Sequence, residues 1–191
     1  MRRLLIPFAA LCALPILAAS AALPETDAVN RGAAYLKSIQ LADGSYGTDS
    51  PGQNMDSIYA VRAAGFDPAK DVKDGASPVD YLLANIAAVD SAGAAAKAAL
   101  AAVALGLDPT SVGGVDLIAM AAGAYDPETG AYAGDDFTQS IVMIGLACTG
   151  NAVGAMADDA LRETQIDESG GWGFGGFADA DTTAIVIQAL I

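Results

Sequence analysis

A Gly-aromatic turn and a Gly-x-Asp-Pro step return along this chain at a near-constant interval, and such an interval leaves few folds open. Gly65-Phe66-Asp67-Pro68 recurs as Gly106-Leu107-Asp108-Pro109, 41 positions on, and Gly150 closes a comparable stretch 44 positions after Gly106. The ring of the Gly-rich turn stands at Tyr46, Tyr132 and Trp172, 86 and then 40 positions apart. With a unit of about 43 residues, the first gap is two units and the second is one. Units of this size cannot bury their apolar faces alone, so they must pack side by side.

Each unit reads as two helices, giving about four hairpins over residues 27–68, 77–109, 114–150 and 153–191. Val29, Ala33, Leu36 and Ile39 fall at helical spacing before the turn at Gln40–Gly47. Asp56 is expected to cap a helix over 57–64, and Gly65 to stop it. Ser77-Pro78-Val79-Asp80 reads as an N-cap, a first-turn proline and an acid at the positive helix end. The second unit continues to the alanine-rich helix at 92–105 and lacks the Gly-aromatic turn. Asp136 is expected to cap 137–149, and Asp181 the final helix. That helix reaches Ile191 still apolar and without a stop signal, so a longer, truncated chain is expected. An open solenoid and a closed ring both satisfy this pattern.

Composition fixes the class. Much of the apolar content is alanine, the best helix former and one that lets helices approach closely. The Val, Thr and aromatic alternation that strands require is nearly absent, so the expected class is all-α. Met1-Arg2-Arg3, the apolar run Leu4–Leu17 and Ala19-Ser20-Ala21 predict a secretory signal peptide over 1–21 and a mature domain over 22–191. The product is thus expected to be secreted, extracellular or periplasmic, with no membrane insertion after cleavage. The chain carries a net charge of −14, and loss of Arg2 and Arg3 makes it more acidic. Such acidity argues against nucleic acid and anionic membranes as partners. There is no histidine, and removal of Cys12 leaves Cys148 as a lone core thiol with no intrachain disulfide. No metal site is expected on that residue supply.

The best-preserved turn runs from Gln165 to Leu190 and contains Ser-Gly-Gly-Trp-Gly, then Asp179-Ala-Asp181-Thr182-Thr183-Ala184 opening a helix. Gln40-Leu-Ala-Asp-Gly-Ser-Tyr-Gly47 is a weaker copy. Together these residues resemble the Gln-Trp repeats of the terpenoid cyclase and protein prenyltransferase superfamily. That resemblance implies an α/α-toroid, a closed barrel of six hairpins, here an incomplete ring of four. It also implies that the Gln and the aromatic are structural clamps, the Gln bonding backbone in the turn under the ring.

The resemblance offers an enzyme and a binding reading. Squalene–hopene cyclases carry an Asp-x-Asp-Asp-Thr-Ala run whose middle acid protonates an alkene. Aligned on it, Asp181 would be the general acid and Asp179 its neighbour, with Thr182 in place of the third aspartate. Such an acid needs an apolar cavity and aromatic rings, and one Trp and no His are available. Against it, Asp181 stands where Asp56 and Asp136 stand, which is a capping pattern. The zinc ligands of the prenyltransferases and the Gly-Cys-Gly-Glu-Gln run of complement-like thioester domains are both absent. The binding reading follows the exported, non-catalytic cobalamin carriers. Asp136, Gln139, Trp172, Asp181 and Thr183 are then the candidate contacts to a cobalamin-like small molecule or to another extracellular domain. Calcium is the alternative ligand, at the acidic loops Asp126/Glu128/Asp135/Asp136 and Asp167/Glu168/Asp179. The expectation is a non-catalytic binding module with no cofactor. The cyclase-like fragment is its alternative.

Overall fold

A computed structural model of the chain describes residues 26–48 and 50–191, and the expected signal peptide at 1–21 lies outside them. Among the described residues are α1 (Thr26–Ser38), α2 (Pro51–Ala63), α3 (Pro78–Asn85), α4 (Ala92–Ala104), α5 (Leu117–Ala122), α6 (Asp136–Cys148), α7 (Ala157–Glu163) and α8 (Ala180–Ala189). Between α7 and α8 lies one antiparallel hairpin of β1 (Gly173–Phe174) and β2 (Phe177–Ala178). The chain is all-α in character, as its alanine content dictates.

The even-numbered helices, the long helices of the stack, lie against one another in chain order, α2 on α4, α4 on α6 and α6 on α8. The odd-numbered helices flank them, with α1, also 13 residues long, on α2, and the shorter α5 against α4 and α6 and α7 on α6. Alanine makes the centre of this stack. Ala95, Ala96, Ala98, Ala99, Ala101 and Ala102 of α4 are all buried, and the small side chains bring its neighbours close. Gly145 of α6 completes that contact, because a Cβ there would lie 2.7 Å from the Cβ of Ala96. No helix among the described residues is long and apolar enough to cross a membrane.

The helix starts correct several expectations. Helix α2 begins at Pro51 after Ser50, so Asp56 lies inside it and pairs with Lys97 of α4 at 3.1 Å. Asp135, not Asp136, caps α6 by accepting from the Thr138 amide at 2.8 Å. Asp179, not Asp181, caps α8 by accepting from Thr182 at 2.8 Å. The N-caps Ser50, Ser91, Asp135 and Asp179 therefore follow one another at 41, 44 and 44 positions. The expected N-cap at Ser77 stands, and with Asp80 it forms a capping box, the Ser77 hydroxyl accepting from the Asp80 amide and the Asp80 carboxylate from the Ser77 amide. Helices α5 and α7, the first helices of the units 114–150 and 153–191, are short, at six and seven residues. Finally, Cys148 is disulfide-bonded, whereas the lone-thiol expectation is of the chain after loss of Cys12; Cys12 lies outside the described residues.

Candidate functional site

Three Gly-aromatic turns share one hydrogen-bond arrangement. The backbone N–H of each aromatic donates to a side-chain oxygen on the next long helix, four positions past its N-cap. Tyr46 donates to Asn54 Oδ1 at 2.6 Å, Tyr132 to Gln139 Oε1 at 2.6 Å and Trp172 to Thr183 Oγ1 at 3.0 Å. The fourth long helix, α4, has Ala95 in that place and no aromatic turn before it. Buried amides must find partners, so each latch locks its turn to its helix.

The ring's own polar atom makes a second tie. Tyr46 donates its hydroxyl to Asp71 Oδ2 at 2.8 Å, and the Tyr132 hydroxyl accepts from the Gly154 amide at 2.7 Å. The first reaches the linker after its unit, and the second the start of the following unit. Trp172 instead turns back and gives its indole N–H to the Leu161 carbonyl at 2.6 Å. Asp71 is 7 % exposed and also receives Lys37 Nζ, while its carbonyl accepts from Gln40 Nε2 at 2.9 Å. Burial first, then the hydrogen bond and charge of Asp71, push the Tyr46 hydroxyl well above the usual phenol range.

The sequence candidates fall into different places. Gln139 is 2 % exposed; its oxygen holds Tyr132 and its amide donates to the Gly130 carbonyl at 3.1 Å. Trp172 and Thr183 form the third latch. Asp136 and Gln139 meet in one cleft of about 260 Å³, beside Asp135, Leu161 and Thr164, and Thr164 donates to Asp136 at 2.7 Å. Trp172, Asp181 and Thr183 do not line it. Asp181 is exposed on the first turn of α8. Asp179 is held low by the Thr182 amide and hydroxyl, an ordinary capping effect.

In the acidic loops, Asp126, Asp135, Asp136 and Asp179 are likewise engaged internally. Asp126 accepts from the Glu128 amide and the Thr129 hydroxyl, both at 2.9 Å, and those bonds lower its carboxyl. Among the described residues no group of three or more His, Cys, Asp or Glu could hold a metal ion. Two residues of these networks escaped the sequence reading, Asn54 and Asp71. Asn54 was legible only once the cap is placed at Ser50. Asp71 lies in a linker, where nothing local marks it.

Comparison with known protein families, with curated proteins and with solved structures returns no match.

Proposed function

We propose that this chain is an exported, non-catalytic interaction module built from stacked helical hairpins of the α/α-toroid type. The observation that carries the reading is where the turn's polar groups go. Gln139 and Thr183 hold backbone amides, the Trp172 indole is tied to Leu161, and Asp181 stands exposed. An acid that protonates an alkene needs apolar enclosure, and Asp181 stands in solvent on the first turn of α8.

Size argues against a small molecule at the Asp136–Gln139 contacts, and apolar exposure elsewhere favours a protein surface. The Asp136–Gln139 cleft, at about 260 Å³, falls below the roughly 300–1,000 Å³ of typical small-ligand sites. A larger hollow of about 700 Å³ lies between Met143, Val153 and Leu190, and it opens beside the exposed Ile191. Phe174 and Phe177 of the β1–β2 hairpin, Ile187 of α8 and Ile191 just beyond it are all exposed, and large apolar side chains left in solvent suit an interaction surface.

The test is direct. Purified chain incubated with squalene is expected to yield no cyclised product, and equilibrium dialysis against cobalamin no retained ligand. A cyclised product that disappears in Asp181→Asn overturns the reading in favour of the cyclase. Saturable cobalamin retention overturns the preference for a protein partner.

A further inference from the structure

Counted from their N-caps, the four long helices present the same two faces. The third and tenth positions look toward the preceding long helix: Thr182 and Ala189 of α8 are buried, and Gly145 of α6 lies against Ala96. In α2 these positions are Gln53 and Ala60, and both are exposed. The fifth and eighth positions look toward the following long helix. There Met55 and Ile58 of α2, Ala96 and Ala99 of α4, and Ser140 and Met143 of α6 are buried. In α8 the same positions are Ala184 and Ile187, again both exposed, Ile187 at 49 %.

The turn before α8 repeats the asymmetry. A Cβ on Gly44 would lie 2.1 Å from the Ser77 carbonyl oxygen, and one on Gly130 would lie 2.4 Å from that of Met156. Ser77 and Met156 are the N-caps of α3 and α7, so these glycines seat the next unit. Gly170, in the equivalent place before Trp172, meets nothing within 4 Å. The α8 end therefore carries a complete, uncovered receiving face.

What fits it is a helix with a small residue at its tenth position, since Ala60, Ala101, Gly145 and Ala189 occupy that place in all four helices. Among the long helices only α2 leaves it exposed. Charge argues against two α8 ends meeting. After Lys97 the chain has one basic residue, Arg162, against thirteen Asp and Glu, whereas on and close after α2 Arg62, Lys70 and Lys73 stand beside Asp56, Asp67, Asp71 and Asp74 and nearly balance them. Two α8 ends facing each other would juxtapose the acidic halves; an α2 end facing an α8 end does not.

We propose that the exposed face of α8 docks the exposed face of α2 from a second copy, head to tail. The contact repeats between molecules what α2, α4 and α6 each make within one. It rests on the interaction-module reading and names the partner. A contact of this kind is heterologous, so it closes a ring or propagates.

The test uses the full mature chain in light scattering and sedimentation over a range of concentrations. Wild type is expected to rise at least about twofold above the single-chain mass, as a heterologous pair requires. Ile187→Glu and Ala60→Glu each alone hold at one chain's mass. Mixed in equal amounts they form a two-chain complex, because each keeps the face that the other lacks. Helix content by circular dichroism checks folding. If a Glu variant loses it, Ala184→Arg or Gln53→Arg replaces that variant at a position already in solvent. Wild type that stays at single-chain mass overturns the proposal, as does an Ala60→Glu chain that still pairs alone, or a mixture that does not pair. None of these results produces a cyclised polyprene, so failure here is distinct from failure of the non-catalytic reading.

Discussion

The first and fourth turns use nearly the same residues and meet opposite surroundings. Gln40 and Gln165 each donate from Nε2 to a turn glycine carbonyl, at 3.3 Å to Gly44 and 2.7 Å to Gly170. Gln40 is 1 % exposed, because Asp71 and Lys73 of the linker close over it, while Gln165 is exposed. Gly44 presses on Ser77, whereas Gly170 presses on nothing. The local conformation is set by the turn's own residues. Its burial is set by whatever packs next.

That contrast can be broken by substitution, and the glycines give the largest effect. Gly44 has φ +91° and Gly170 φ +70°, so any side chain incurs backbone strain at both. Only at Gly44 does a methyl also strike backbone. Gly44→Ala is expected to cost about 3 kcal/mol or more in urea unfolding. Gly170→Ala is expected to cost about 1–2 kcal/mol, the left-handed backbone contribution alone. Equal losses would show that the first turn is not seated on Ser77.

The latches should rank the same way. Asn54→Ala strands the buried Tyr46 amide and also frees the Thr48 and Ser50 carbonyls, at about 2–3 kcal/mol. Thr183→Val keeps the shape of a half-buried side chain and removes the acceptor of the Trp172 amide and a donor to the Trp172 carbonyl, which the Asp179 amide still serves, at about 1 kcal/mol. The same unfolding series measures both.

Tyr46 adds a pH dependence that Trp172 lacks. Its folded pKa is raised above the unfolded value, so its contribution is fully present below about pH 10 and is lost as pH rises beyond it. Tyr46→Phe should flatten part of the alkaline loss of stability. The Tyr59 hydroxyl, raised mainly by burial and then by Asp56, and the Tyr132 hydroxyl, raised by burial, add to it. The smallest effect is expected at Asp181→Asn, within about 0.5 kcal/mol as for other exposed positions. Asp179→Ala two residues earlier should visibly lower the unfolding midpoint, since it removes the cap of α8.

How much of this was legible depends on the range of each cause. The interval, the Ser77–Asp80 box and the stop glycines at 65, 106 and 150 are local signals, and the helices end and begin where they say. Cap positions slipped where acids crowd together. Asp135 and Asp136, or Asp179 and Asp181, are equally good caps by type, and only the extended backbone of Asp135 and Asp179 separates them. At α2 the Ser50-Pro51 start was the better signal, and Asp56 belongs to the Lys97 ion pair. The latches depend on contacts between a turn and the following helix, so Gln139 and Thr183 looked like free polar groups suited to a ligand. Asp71 acts across 25 residues on Tyr46, and no spacing rule reaches that far.

Hydrogen exchange on the Ile187→Glu chain, kept to a single copy, compares the two turns most directly. Backbone bonds are matched: Leu41 donates to Ser45 at 2.8 Å and Ile166 to Gly171 at 2.9 Å, with Gly44 and Gly170 each bonded back into the turn. Opening free energy should nevertheless differ, because exchange reports packing around a bond as well as the bond. The amides of Leu41 and Gly44 are expected to exchange only through large-scale unfolding, and those of Ile166 and Gly170 through local opening, at least about tenfold faster. Equal protection in the two turns, or faster exchange at Leu41 and Gly44, would contradict the view that each Gly-aromatic turn is a structural seat completed by the unit packed upon it.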